Sequence, residues 1–331
     1  MTFSIVIPAC NGEKYIERAI LSVLNQALKP DEIIIHDDNS TDSTRQICKK
    51  YFPKVTYYFN PDGPSGFVNG WKKAIALAKS DFIAILHQDD FLYPSFLKEA
   101  ENALTLNPGV RHLFTLCDYI DENELIISGG EKSVLKDRLA NKIIRYSGKE
   151  YVRAYQKKYN KMPHIHRCPG VITHRSIFDE GCNYDAAAGH IADDDLFYRV
   201  GQFTDVIGIM KSLASYRIHK ESETGKIGDI ILVRRLVTDY IYQVHQWQNT
   251  DFMDNESKAY FIKNVYKYKK RLLGYGIKLK DDKIIDEVLE ISDQLKKENF
   301  AEKNKFIYIL ELLLRSKITS SFSLKILSLL I

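Results

Sequence analysis

Short, largely apolar runs alternate with amphipathic stretches through the first 120 residues, and this alternation constrains the fold more than any other feature of the chain. A strand that is apolar on both faces has to be covered on both faces, as in a parallel sheet flanked by helices. The runs are Ser4 to Ile7, Glu32 to His36, Val55 to Phe59 and Phe82 to Leu86. Between the first two, Tyr15, Ala19 and Val23 recur four apart beside Ile16, Ile20 and Leu24, which predicts a helix with one broad face on the sheet. Ser40 and Thr41 are suited to cap a second helix running toward Tyr51. A third pattern spans Trp71 to Lys79, and Pro94 stands where a fourth helix would begin. The expected order is β-α-β-α-β-α-β-α.

From Asp121 to about Lys161 the pattern weakens, around Gly129 and Gly130, and reads as an excursion or loop. It resumes with Gly170 to Thr173, a helix from Asp193 to about Val200 and a strand from Asp205 to Met210. Past about Ile227 long helical patterns take over, including Val233 to Gln248 and Lys303 to Arg315. The expectation is an α/β domain over residues 1–226, mostly a parallel sheet flanked by helices, followed by a helical region over 227–331.

With 45% hydrophobic and 27% charged residues, the composition is that of a soluble globular protein. No run of about 18 apolar residues predicts a transmembrane helix. A net charge of +4 is too slight to imply nucleic acid. Five cysteines without a C-x-x-C pair indicate neither a disulfide framework nor a thiolate zinc knot. Residues Met1 to Pro8 carry no basic leader and read at once as a strand, so a cytoplasmic setting is expected.

Four polar clusters fall at or near ends of predicted strands, and ligands of open parallel sheets bind outside the carboxyl ends of the strands. The first, Pro8-Ala9-Cys10-Asn11-Gly12-Glu13, leaves strand one, and the second, His36 to Asp42 with Asp37 and Asp38, leaves strand two. There a carboxylate can accept a base N–H or a ribose hydroxyl, although helix capping alone would also explain it. The third is His87-Gln88-Asp89-Asp90, whose adjacent carboxylates repel unless a hard divalent cation or an equivalent offsets them. In the fourth, Asp193, Asp194 and Asp195 open a helix, which the helix dipole favours without any further role.

Pro8 to Asn11, Asp37 to Asp42, Gln88-Asp89-Asp90 with Pro94, and Asp193 six residues before Arg199 together resemble the ordered motifs of family-2 inverting glycosyltransferases. The resemblance covers about residues 3 to 225 and implies a GT-A fold. It implies that Pro8, Ala9, Asn11, Glu13, Asp37, Asp38, Asn69, Gln88, Asp89 and Arg217 bind a nucleotide sugar, most often a UDP-sugar. It further implies Mg²⁺ or Mn²⁺ held by Asp89 with Asp90 and His219, and Asp193 as general base with Asp194 next in line. Tyr216 to His219 resembles a segment that closes over the diphosphate. The acceptor class implied is a saccharide or lipid-linked saccharide. Cys10, Val68, His87 and Ala192 depart from the usual pattern.

Two competing readings are a nucleotidyltransferase that makes nucleotide sugars and a non-catalytic nucleotide-sugar-binding module. The first usually has a Gly-rich N-terminal loop bearing Arg and Lys, which Pro8 to Glu13 is not. His164, His166 and Cys168 alternate as zinc ligands could, without a fourth ligand at suitable spacing. Lys267 to Leu273, and Phe306, Leu310, Leu314, Phe322, Ile326 and Leu330, suit either contact with an anionic membrane surface or ordinary helix packing.

Overall fold

A computed structural model of the chain describes residues 1–131, 139–158, 168–222, 231, 233–234, 237–238, 241–242 and 255–297. The chain divides into two compact units, Met1–Gly225 and Lys226–Ile331. The first opens with β1 (Phe3–Ala9), α1 (Ile16–Leu24), β2 (Glu32–Asp37), α2 (Thr44–Lys49), β3 (Thr56–Phe59), α3 (Phe67–Leu77) and β4 (Phe82–Ile85). Next come β5 (Phe91–Leu92), α4 (Phe96–Leu106), β6 (His112–Ile120), β7 (Ile126–Ser128), β8 (Ile143–Tyr146) and α5 (Gly148–Lys158). The unit ends with β9 (Val171–His174), α6 (Arg175–Asp179), a 3-10 turn (Ala186–Ile191), α7 (Ala192–Val200) and β10 (Val206–Arg217).

The strands form one sheet in the order β3-β2-β1-β4-β9-β6-β10-β5, with β7 on β6 and β8 on β10. The β1, β2, β3 and β4 neighbours pair in parallel, as do β6 and β10, while β9 runs antiparallel between β4 and β6. The sheet is mixed rather than mostly parallel, because β5, β7, β8 and β9 run against the other strands, and the carboxyl ends of β1, β2, β4, β6 and β10 meet along one edge. Strand β1 can be apolar at all its inner positions but Ser4 because both faces are covered: Phe3, Ile5, Val6 and Ile7 are all buried. Ile16, Ala19, Ile20 and Val23 of α1 join the same core as Ile5, Ile7, Ile35 and Leu97. Burying each such aliphatic side chain contributes roughly 1.5–3 kcal/mol.

Several expectations change in detail. Ser40 and Thr41 do not cap α2, which starts at Thr44 with its N–H bonded to Asp42 Oδ1 at 2.9 Å. Helix α3 begins at Phe67, four residues ahead of the predicted start at Trp71. The stretch 121–161 is not a mere loop among its described residues, since it holds β7, β8 and α5. Strand β7 is exposed throughout and β8 alternates exposed and half-buried positions, so neither carries the apolar run of a buried strand. Strand β10 continues past Met210 to Arg217, because register shifts around Ser212 let it resume pairing with β6.

In the second unit, α8 (Asn255–Leu279) and α9 (Asp282–Lys297) form a hairpin around Val233, Leu272, Leu273, Ile277, Ile284, Ile285 and Val288. The predicted basic run therefore has an inward side: Lys269 is 1% exposed and donates to Ser292 Oγ at 3.2 Å. No helix among the described residues is long and apolar enough to cross a membrane. Most of 233–248, together with 303–315 and the remaining C-terminal apolar positions, lies outside the described residues, as do His164 and His166.

Candidate functional site

The register between β1 and β2 sets Pro8 beside His36 and Ala9 beside Asp37, so the first two polar clusters leave the sheet side by side. The Ala9 carbonyl accepts the Asp38 N–H at 2.7 Å. Beyond that point the turns are laced together. The Asn11 N–H donates to Ser40 Oγ at 2.8 Å, Asn11 Oδ1 accepts the Thr41 N–H at 2.9 Å, and Glu13 Oε2 accepts the Ser43 N–H at 2.9 Å. Asn11 and Asn39 adopt the left-handed conformation, φ 50° and 72°, which asparagine tolerates better than most residues. Asp37 is buried and faces inward, accepting hydrogen bonds from the Tyr57 hydroxyl and the Ser40 N–H.

Asp38 lies nearer the rim. Burial works to raise its carboxyl, but the Asn60 amide at 2.6 Å and the Ser65 N–H at 2.7 Å hold it below the ordinary carboxylate range. Asn69 is exposed at the start of α3 and donates to the Ser65 carbonyl at 3.0 Å, which steadies the loop that grips Asp38.

The third cluster follows β4. Gln88 clamps the backbone of Cys10 from both sides: Oε1 accepts its N–H at 2.9 Å and Nε2 donates to its carbonyl at 3.0 Å. A Cβ on Gly12 would lie 2.3 Å from Gln88 Oε1, so only glycine leaves room for this clamp. Gly12→Ala is therefore expected to expel the amide and cost about 1–2 kcal/mol for the two lost hydrogen bonds. Gln88→Ala should cost about the same. Urea unfolding of the double variant checks the account, because its loss should match either single loss rather than their sum.

The two carboxylates of this turn have opposite environments. Asp89 keeps 21% of its side-chain exposure, and His219 Nε2 lies 2.9 Å from its Oδ2. Burial alone would raise it, yet His219 and His87 hold it below the ordinary range. Asp90 is 1% exposed in its side chain and is pushed well above that range by burial and then by the charge of Asp89. Its Oδ1 accepts the Arg217 N–H at 2.8 Å, while Oδ2 finds no hydrogen-bond partner. His87, standing where an acid is usual, stacks on Trp71 with ring centres 4.8 Å apart.

The fourth cluster lies on α7. Asp195 is fully buried in an ion pair with Arg199 at 2.7 Å, and Arg199 also donates to the Asn183 carbonyl at 2.6 Å. That acid has a structural partner. Asp193 and Asp194 are half-buried, and Asp193 Oδ1 accepts the Asp194 N–H at 2.9 Å. Ring contacts lead from the Asp89 turn to the loop ahead of Asp193. Trp71, stacked on His87, meets Tyr184 edge-on at 5.2 Å, and Phe67 stacks on His190 at 5.2 Å, just ahead of α7. Helix α3 thus joins the acidic turn to the loop that precedes Asp193. Sequence reasoning passed over Trp71, Tyr184 and His190 because an aromatic residue at helical or loop spacing reads as core.

Arg217 ends β10, with His219 two residues beyond it. The guanidinium is 2% exposed, so it sits behind the acidic turn rather than at the rim. Among the described residues no group of three or more His, Cys, Asp or Glu side chains is arranged to hold a metal ion. The Asp89 and His219 pair nevertheless fits a cation that completes its shell with phosphate oxygens and water. Neighbouring ligands of an octahedral Mg²⁺ lie about 3 Å apart, and Mg²⁺ needs only one or two carboxylates from the protein. A 390 Å³ cavity lined in part by Arg18, Phe91, Tyr93 and Glu124 includes Pro94 of the motif but none of the predicted nucleotide-sugar, metal or base residues.

Comparison with known proteins fits this geometry. A family model described as Glycosyl transferase family 2 matches residues 4–176. The GalNAc(5)-diNAcBac-PP-undecaprenol beta-1,3-glucosyltransferase of Campylobacter jejuni is 29% identical over 164 residues, covering 46% of this chain and 51% of that protein. The chain thus spans about half the length of that relative. Among solved structures, S. aureus TarS in complex with UDP-GlcNAc aligns with a TM-score of 0.58 at 16% identity, covering 88% of this chain and 81% of that one. The mannosyltransferase PcManGT of Pyrobaculum calidifontis, in complex with GDP-Man and Mn²⁺, aligns with a TM-score of 0.56 at 13% identity, covering 82% and 73%. At such identities the likeness is one of fold, and the fold is GT-A.

Proposed function

Since the chain belongs to glycosyl transferase family 2, we propose that it moves a sugar from a nucleoside diphosphate, most naturally UDP, onto a hydroxyl of a saccharide or lipid-linked saccharide, with inversion and with Mg²⁺ or Mn²⁺. The observation that carries this reading is the pair formed by Asp89 Oδ2 and His219 Nε2, 2.9 Å apart at the carboxyl edge of the sheet. The UDP-GlcNAc complex of TarS supports the donor class, and the name of the Campylobacter relative supports a lipid-linked acceptor. Catalysis is assigned to residues 1–226, and the helical region 227–331 carries none of these groups.

Asp38 and the turn from Pro8 to Glu13 take the nucleoside, with Gln88 fixing that turn against the diphosphate site. Asp89 and His219 would hold the cation, which when bound would supply charge neutralisation for the departing diphosphate. On the opposite side Asp193 takes the proton of the acceptor hydroxyl. As that oxygen bonds to the anomeric carbon, the bond from this carbon to the diphosphate oxygen breaks, in line, and the configuration inverts. An inverting displacement needs a base and a leaving-group stabiliser in separate places, which two acidic clusters from distant parts of the chain supply.

Incubation with a panel of nucleotide sugars, Mn²⁺ and oligosaccharide acceptors is expected to release nucleoside diphosphate from one donor and to stop with EDTA. Release of pyrophosphate would identify a nucleotidyltransferase. Binding without turnover of any donor would identify a non-catalytic module.

A further inference from the structure

We infer that Arg217 and Tyr15 form a brace that sets the Asp89 and His219 pair in place before cation or donor arrives, and that Arg217 is a positioning residue rather than a phosphate ligand. The inference rests on the proposed role of that pair. The family motif groups Arg217 with the donor-binding residues, but the buried guanidinium has its fork committed within the protein. Nε donates to the Asp89 carbonyl at 2.9 Å, one terminal nitrogen to the carbonyls of Asp121 and Glu122 at 3.2 and 3.3 Å, and the other to Glu124 Oε1 at 3.0 Å. Its backbone N–H fixes Asp90 Oδ1. One residue thereby ties the turn after β4 to the turn after β6, from the strand end that also carries His219.

Tyr15 completes the brace. Its ring lies 4.6 Å from the Arg217 guanidinium and 4.8 Å from the His219 ring, which it meets edge-on at 61°. A cation over an aromatic face and a ring against a ring edge are both attractive in this geometry. The Tyr15 N–H is bonded to the Gly12 carbonyl at 3.0 Å, so the ring is anchored to the turn leaving β1. Its hydroxyl is buried without a hydrogen-bond partner, so the brace uses the ring and not the oxygen. A planar guanidinium sharing four acceptors also satisfies the carbonyls of Asp89 and Glu122, while the Asp121 carbonyl accepts the Glu124 N–H as well.

Two measurements test this. Hydrogen exchange of the unliganded protein is expected to quicken over residues 88–92 and 120–125 in Tyr15→Leu and Arg217→Met, and Tyr15→Phe, which keeps the ring, is expected to restore protection. Calorimetric titration with UDP, in Mn²⁺ and in EDTA, is expected to show the first two variants losing about tenfold or more of the affinity that Mn²⁺ adds, as outer-shell substitutions do. Their affinity in EDTA should stay within about twofold of the original protein. Equal losses in Mn²⁺ and EDTA would make Arg217 a direct diphosphate ligand and overturn the brace, as would unchanged exchange in Tyr15→Leu. Should Arg217→Met fail to fold, Tyr15→Leu and Glu124→Gln carry the same test. If the original protein gains no UDP affinity from Mn²⁺, the proposed function fails, while hydrogen exchange still decides the brace.

Discussion

Asp193→Asn is expected to bind donor as the original protein does and to lose about 10²- to 10⁴-fold in turnover, the usual contribution of a positioned base. Asparagine keeps the size of the side chain and can still accept the Asp194 N–H through its oxygen, so the start of α7 should survive. What it cannot do is take a proton from the acceptor. The neighbouring acids serve as internal controls. Asp194→Asn should retain most of the rate. Asp195→Asn should lower stability rather than chemistry, because it weakens the buried pair with Arg199. The rate of nucleoside diphosphate release at saturating donor and acceptor, set beside donor affinity by calorimetry, checks all three. If Asp194→Asn is the inactive one, the base is one residue further along the helix; if both keep full rate, α7 supplies no base.

The half of the sheet built on β1, β2 and β4 was readable because each of these strands is buried on both faces around an unbroken apolar stretch, Ile5 to Ile7, Ile33 to Ile35 and Phe82 to Ile85. Strand β6 is just as buried, yet it went unread because His112, Thr115 and Asp118 interrupt its apolar run. Thr115 donates to the neighbouring Leu116 carbonyl, but the other two find partners remote in sequence: His112 Nδ1 meets Thr173 Oγ1 at 2.9 Å, and Asp118 accepts from the hydroxyls of Tyr93 and Ser212. No window of sequence contains such a pairing. The same holds at the site. The order of the motifs named Asp38, Asp89 and Asp193, because the types and spacing of residues survive in a linear reading. Which way a side chain turns does not. Asp37 and Asp38 are adjacent and chemically identical, yet one is spent on Tyr57 inside the sheet and the other faces the loop at Ser65. Ser40 and Thr41 have the form of helix caps and instead bind Asn11 across the cleft edge.

The same asymmetry between neighbours makes the sharpest test of the metal assignment. Asp89→Ala is expected to bring transfer below detection and to remove the response to added Mn²⁺, since it takes away the one carboxylate of the turn that combines exposure, a lowered carboxyl and a nitrogen ligand beside it. Asp90→Asn should behave differently. Its Oδ1 can still accept the Arg217 N–H, and the substitution removes a buried charge that Asp89 repels. Activity should therefore persist, with stability unchanged or raised in urea unfolding at neutral pH, where a carboxyl pushed upward by burial works against folding. His219→Ala should weaken the apparent Mn²⁺ affinity while leaving some turnover at saturating metal, because one carboxylate and the diphosphate can still hold the ion. If Asp90→Asn instead loses Mn²⁺ dependence as completely as Asp89→Ala, the cation sits between the two carboxylates, and the inward turn of Asp90 belongs only to the protein without its donor.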